Sequence, residues 1–280
     1  MPRADANGRP EPADEPHDTE LRSAPAALDG RPYSGSNGAG SGSAPGQREI
    51  AIEELSGRDE AWLERVRAEF AAGFRVMQDG TPAVTVYGSA RVKEGSLVYE
   101  DSRRIGAALA RAGFTVITGG GPGVMEAANR GAVEAGGRSI GMQITLRNVE
   151  PPNRWTTESV TFKYFFVRKV MLVKYATAFV LMPGGMGTLD ELFETLNLLQ
   201  TGKIHRFPVI LCGSDYWAGL LDWMKHRLLA EGYIGGRDLD IFLIEDDPLA
   251  VVDHITRWQR SHSVGELAQH PERRPRRALD

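Results

Sequence analysis

The segment Met182-Pro183-Gly184-Gly185-Met186-Gly187-Thr188-Leu189-Asp190-Glu191 constrains the fold more than any other stretch of this chain. An apolar run, Ala178–Leu181, leads into it, and an amphipathic run, Leu192–Leu199, leads out. That order reads as strand, glycine turn and helix start. Three glycines within four residues remove the Cβ atoms that would keep a ligand from the backbone. The helix N-terminus then turns unpaired N–H groups and a partial positive charge on the same spot, which suits a phosphate. Glu191 is expected in the first helical turn, so a carboxylate would stand beside the anion site.

The rest of the chain repeats the strand–helix alternation. Ala83–Tyr87 is a β-rich run ending in Gly88-Ser89-Ala90-Arg91. Phe114–Thr118 is a short apolar strand ending in Gly119-Gly120-Gly121-Pro122-Gly123. Strands are also expected over Ser139–Ile144, Val160–Phe162, Ala178–Met182, Pro208–Cys212 and Ile241–Ile244. Helices are expected over Asp59–Met77, Leu97–Ala112, Val124–Ala135, Tyr164–Tyr175, Thr188–Thr201, Trp217–Ala230 and Leu249–Trp258. A long polar loop separates the third strand from the fourth, over Thr145–Glu158. Such alternation predicts a single α/β domain, a Rossmann-like doubly wound parallel sheet with helices on both faces. Its ligand site belongs at the carboxyl ends of the strands. All three glycine turns follow strands, so all three can open on one crevice.

Domain boundaries follow from composition. Residues 1–48 are rich in Gly, Pro, Ser, Ala and charge, and a disordered segment is expected there. Residues 49–262 form the expected nucleotide-binding catalytic domain. Residues 263–280 end in Arg273-Arg274-Pro275-Arg276-Arg277 and are expected to be a disordered basic tail.

Several function classes lose support. A net charge of −4 argues against a general nucleic-acid binder. No apolar run is long enough to span a bilayer, and no apolar stretch near the N-terminus resembles a secretory signal, so the cytoplasm is the expected compartment. The single cysteine, Cys212, follows the apolar run Pro208–Leu211 and reads as a buried, inert thiol. The six histidines show no metal-ligand spacing, and neither His-Glu-x-x-His nor Gly-x-Ser-x-Gly occurs. The Gly119–Glu126 cluster fails the dinucleotide fingerprint, because Val124 or Glu126 falls where the third glycine belongs. Gly202-Lys203 is followed by Ile204, so there is no Walker A loop.

Two features stay ambiguous on the residues alone. Thr188-Leu189-Asp190-Glu191 is also a capping box, in which Glu191 would only bond back to the helix start. Arg168 has Tyr164, Phe165, Met171 and Leu172 as its helical neighbours. A guanidinium on such a face needs a partner, unless it snorkels at a subunit interface.

On these residues the chain resembles the LOG family, the cytokinin riboside 5′-monophosphate phosphoribohydrolases, long labelled lysine decarboxylases. Pro183–Glu191 meets the family's Pro-Gly-Gly-x-Gly-Thr-x-x-Glu signature in full, and Arg168-Lys169 matches its Arg-Lys pair. The form of Gly119–Asn129 looks like the longer bacterial branch. The resemblance spans about Ala83–Ile255. It implies hydrolysis of the N-glycosidic bond of a nucleoside 5′-monophosphate, AMP or an N6-substituted cytokinin AMP, to free base and ribose 5-phosphate. It also implies a homodimer or higher oligomer, with no cofactor, no metal, no nucleic acid and no membrane as partner. Arg168 and Glu191 would be the catalytic pair. Gly184, Gly185, Gly187 and Thr188 would hold the phosphate, with Ser89, Gly120, Gly121, Lys169 and the loop acid Glu150 as further substrate contacts. The alternatives are a broad-specificity nucleotide 5′-monophosphate nucleosidase and a non-catalytic nucleotide-binding protein on the same fold. The pyridoxal lysine and its acidic partner, which a decarboxylase would need, have no motif here.

Overall fold

The computed structural model describes residues 52–145 and 153–269, with side chains over 58–145 and 153–262. Expectations for residues 1–48, for Glu150 and for residues 270–280 lie outside the described residues.

The described residues form one seven-stranded sheet in which every pairing is parallel. The elements in chain order are α1 (Ile52–Val76), β1 (Ala83–Tyr87), α2 (Leu97–Arg111), β2 (Thr115–Thr118), α3 (Val124–Glu134), β3 (Ser139–Ile144), β4 (Glu158–Phe162), α4 (Phe165–Lys174), β5 (Ala176–Leu181), α5 (Met186–Gln200), β6 (Val209–Leu211), α6 (Ser214–Trp223), β7 (Leu243–Ile244) and α7 (Pro248–Gln269). The strand order is β4-β3-β2-β1-β5-β6-β7. The order reverses beside β1, which pairs with β2 on one edge and β5 on the other. This reversal is where a doubly wound sheet opens its crevice.

Side chains alternate across the sheet as the pleat requires. Ala83, Tyr87, Phe179 and Leu181 face one core, shared with Val167, Met171 and Leu172 of α4 and Leu192, Leu196 and Leu199 of α5. Val84, Val86, Ala178 and Val180 face the other, shared with Ile105 and Leu109 of α2, Ala128 and Ala132 of α3, and Val251 and Ile255 of α7. Central strands are therefore apolar on both faces, as in parallel sheets covered by helices. No described helix is long and apolar enough to cross a membrane.

The differences from expectation lie at element ends. α1 begins at Ile52 rather than Asp59, and α7 continues past Trp258 to Gln269, into the segment read as a tail. The helix expected over Trp217–Ala230 is an α-helix only to Trp223, followed by a π-helical stretch over Met224–Leu229. The consequential difference is α5. Its N-cap is Gly185 and its first residue Met186, not Thr188.

Candidate functional site

The three glycine turns meet at Ser89. Its N–H donates to the Pro183 carbonyl at 3.1 Å, and its carbonyl accepts from Val124 N–H at 3.0 Å. Its hydroxyl accepts from Arg91 N–H at 3.1 Å. Ser89 thus ties the turn after β1 to those after β2 and β5. Gly184 must be glycine, since a Cβ would collide with Thr188 Oγ1 and stand 2.9 Å from Ser89 N. Gly185 and Gly187 differ: an added Cβ at either would meet nothing within 4 Å. Both are exposed, at the mouth of α5. Among the described residues, no acceptor pairs with the N–H groups of Gly185, Met186 and Gly187. The turn is held from below, where the Tyr216 hydroxyl of α6 donates to the Gly184 carbonyl. Asp246 in turn anchors the start of α6, accepting from Gly213 N–H at 2.7 Å and Ser214 N–H at 2.9 Å. This places a rigid helix N-terminus with free donors at the switch point, the arrangement that binds anions.

Starting α5 at Met186 changes the meaning of Thr188 and Glu191. Thr188 is the third residue of the helix, and its N–H donates to Gly185 carbonyl at 2.9 Å. Glu191 falls in the second turn, and α5 carries no acid in its first. The capping-box reading therefore fails, as does the expectation of a first-turn carboxylate. Glu191 is instead 7% exposed, with Oε2 buried and unpartnered. A buried acceptor without a donor is costly, more so when charged. Burial pushes the Glu191 carboxyl up to about 7. Lys169 and, more weakly, Arg168 pull against that shift, while Glu194 and Asp190 add to it.

Arg168 projects from α4 into the same space. Its Nε donates to the Met142 carbonyl at 2.7 Å. A Cβ on Gly119 would collide with its Nη2. Arg168 thus answers the demand for a partner by turning inward, and the snorkelling alternative fails. Burial lowers its pKa, and Glu191 and Tyr87 raise it. A guanidinium remains cationic under these conditions. Among the described residues Arg168 and Glu191 form no ion pair within 4 Å. Lys169 faces the outer side of α5, at 2.8 Å from Asp190 Oδ2 and 3.1 Å from Glu194 Oε2. Burial pulls the Lys169 ammonium down, but these two carboxylates outweigh it and hold it above the ordinary lysine value.

The turn after β2 is more closed. Gly120 N–H is occupied by Thr118 Oγ1 at 2.9 Å, and its carbonyl accepts from Asn153 N–H at 3.0 Å. The Gly121 carbonyl accepts from Asn153 Nδ2 at 2.9 Å. Asn129 lies beneath: its Oδ1 accepts from Thr118 Oγ1 at 2.6 Å and Asn153 Nδ2 at 3.0 Å, and its Nδ2 donates to Ser139 Oγ at 2.7 Å. Gly120 and Gly121 therefore line the crevice, but Gly120 has little hydrogen-bonding capacity left. Sequence reasoning missed Asn153, Tyr87 and Tyr216 as parts of this site. Only Tyr87 left a local signal, as the last strand residue before a Gly-Ser turn.

Cys212 is buried, and burial pushes its thiol up to about 12, as expected of an inert cysteine. A separate cavity of about 380 Å³ lies at the other end of the sheet, lined by Phe207, Pro208, Ile241, Phe242 and Trp258, away from the glycine turns.

The family model described as possible lysine decarboxylase matches residues 125–255. The cytokinin riboside 5′-monophosphate phosphoribohydrolase of Mycobacterium marinum is 29% identical over 172 residues, which cover 61% of this chain and 91% of that relative. Over this span the chain is similar to the LOG family. Another relative, the pyrimidine/purine nucleotide 5′-monophosphate nucleosidase of Escherichia coli strain K12, is 31% identical over 159 residues, covering 52% of this chain but only 35% of its own length. The chain thus spans about a third of that relative. Among solved structures, the molybdenum cofactor carrier protein of Chlamydomonas reinhardtii aligns at 20% identity with a TM-score of 0.48, covering 64% of this chain and 99% of that one. The span matched by the LOG-family model holds Arg168, Glu191 and the turn at Gly184–Thr188, while Ser89, Gly120 and Gly121 precede it.

Proposed function

We propose that this protein hydrolyses the N-glycosidic bond of a nucleoside 5′-monophosphate, AMP or an N6-substituted AMP, releasing free base and ribose 5-phosphate. The observation that carries the reading is Glu191: a buried carboxylate with an unpartnered oxygen, downstream of a helix N-terminus whose donors are free. The names of the relatives from Mycobacterium marinum and Escherichia coli support the same reaction class.

In this reading the phosphate sits on the N–H groups of Gly185, Met186 and Gly187, and the open space beside Gly185 and Gly187 admits it. That remote grip orients the sugar toward Glu191. C–N cleavage builds positive charge on the ribose. The Glu191 carboxylate stabilises that charge and polarises the attacking water. Water supplies the hydroxyl that ends on the anomeric carbon, and the departing base takes up a proton. Arg168 is the fixed cation across the space, bound through Nε and free to hold the sugar or base edge through its remaining donors. Lys169 acts through Asp190 and Glu194. An ammonium held above its ordinary pKa by two carboxylates is poorly suited to Schiff-base chemistry, which supports the hydrolase over the decarboxylase description.

The test is release of free base from AMP by the purified protein, beside adenosine and Glu191→Gln as controls. Base release from AMP, with adenosine a poor substrate, is the expected result. Equal specificity constants for AMP and adenosine would remove the phosphate role from the 184–188 turn. We also propose that the chain acts as a homodimer or higher oligomer, because Phe165, Phe166 and Val170 leave an apolar strip exposed on α4. A monomeric mass in sedimentation would refute that.

A further inference from the structure

Tyr87 ends β1 at the floor of the site. Its side chain is 6% exposed, and its hydroxyl is fully buried with no hydrogen-bond partner. Its ring stacks on Phe179, with centroids 5.7 Å apart and planes at 23°. That contact explains an aromatic residue but not the hydroxyl, since phenylalanine would stack as well. A buried hydroxyl left unpaired is destabilising, and a partner that forms in another state of the site would offset that cost.

The neighbours are set by register. Two residues earlier on the same face of β1, Thr85 Oγ1 donates to the Leu172 carbonyl of α4 at 2.8 Å. Advancing two residues along the strand and one turn back along α4 leads from that contact to Tyr87 and Arg168. Glu191 reaches the same layer from α5. The charges of Glu191 and Glu194 act on the phenol and, with burial as the larger cause, push it well above its ordinary pKa, while Arg168 pulls weakly the other way. The hydroxyl is therefore neutral at any working pH. It can accept one hydrogen bond and donate one. Arg168 offers donors beyond its Nε, and Glu191 Oε2 is an acceptor without a partner, whereas Glu194 Oε2 has the Lys169 ammonium at 3.1 Å.

We propose that Tyr87 is a positioning residue that couples the catalytic pair, its phenol accepting from the Arg168 guanidinium and donating to the ionised Glu191 carboxylate. The inference rests on the proposed role of Glu191. A donor to the charged form favours that form, so the phenol acts with Lys169 and Arg168 of α4 against the burial and the like charges of Asp190 and Glu194. Its effect is to keep Glu191 ionised near neutral pH.

The test is Tyr87→Phe, which retains the ring and removes only the oxygen. With ribose 5-phosphate bound, carboxyl-carbon NMR of Glu191 should show its titration moving up by about 1 pH unit. The acid limb of kcat/KM for AMP should move with it, while KM changes less than about twofold. A Glu191 titration and acid limb that do not move would overturn the proposal, whatever happens to the melting temperature. If Tyr87→Phe does not fold, the wild-type protein with ribose 5-phosphate bound should show a slowly exchanging Tyr87 hydroxyl proton, and rapid exchange there would equally overturn it. The two readings fail separately. Base release surviving in Glu191→Gln would sink the hydrolase, while the Glu191 titration in Tyr87→Phe would still decide the coupling.

Discussion

The units β2–turn–α3 and β5–turn–α5 look alike in sequence, yet the structure uses them in opposite ways. Each is a strand, a glycine cluster and a helix. Each places a buried polar residue at the sixth position of its helix, Asn129 in α3 and Glu191 in α5. In the first unit the chain itself accounts for the glycines. Gly120 and Gly123 have φ of +71° and +68°, and a Cβ on Gly119 would strike Arg168 and Met125. Asn129 is equally enclosed, with Thr118, Ser139 and Asn153 as partners. In the second unit only Gly184 is accounted for by packing, Gly185 and Gly187 face open space, and Glu191 Oε2 has no partner. A closed unit supports the fold; an open one holds its groups ready for something else. Buried polar groups are nearly always paired, and an unpartnered carboxylate oxygen downstream of free helix donors points to function more than an unpaired hydroxyl such as Thr115 Oγ1 does.

The largest expected effect separates the two sixth-position residues. Glu191→Gln should lower AMP turnover by about a hundredfold or more while the protein stays folded. Arg168→Ala should fall similarly, with the double variant little worse than either. Near wild-type base release in Glu191→Gln would end the contrast, making Glu191 as structural as Asn129. Asn129→Ala should do the reverse. It strips three partners at once and should cost about 2–3 kcal/mol of stability in denaturant titration, with far less loss of turnover per folded molecule.

A pH series sharpens the same point. The folded pKa of Glu191 is raised from 4.5 to about 7 by burial. A raised carboxyl binds its proton more tightly in the folded state, so its contribution is fully present below pH 4.5 and is lost as pH rises through about 7. Relative to Glu191→Gln, the wild type should therefore lose about 3 kcal/mol across that window. Parallel stability curves for the two proteins would mean that the carboxyl is not desolvated. The smallest effect belongs to the glycines themselves. Gly187→Ala should hold or raise stability by up to about 1 kcal/mol, because it adds a helix former where nothing is in the way, yet raise KM for AMP. Gly119→Ala should instead be destabilising and displace Arg168. If both behave alike in thermal melts, the distinction between open and closed turns is wrong.

Much of the fold was legible because hydrophobic period and glycine punctuation are local. The runs Ala83–Tyr87 and Ser139–Ile144 became strands at those bounds, and the glycine turns fell after β1, β2 and β5. Arg168 stood out because a charge among apolar neighbours is visible in one dimension, and Glu191 because it follows a glycine turn at a helix start. The start of α5 was not legible. Thr188 is a better cap by composition than Gly185, but the approach of Ser89 and Thr188 to Gly184 fixes the turn and starts the helix at Met186. That shift moved Glu191 from a cap position into the interior.

The sequence by itself determined that strands and helices alternate, that both sheet faces are apolar, and that glycines follow three strands, since each depends only on near neighbours along the chain. Tertiary structure alone decided which glycine cluster is closed and which is open, that Asn153 locks onto Gly120 and Gly121, and that the Tyr87 hydroxyl and Glu191 Oε2 are buried without partners. Those outcomes depend on which groups from distant segments occupy the same small volume. Desolvation and hydrogen-bond pairing are properties of that volume, and no spacing along the chain encodes them.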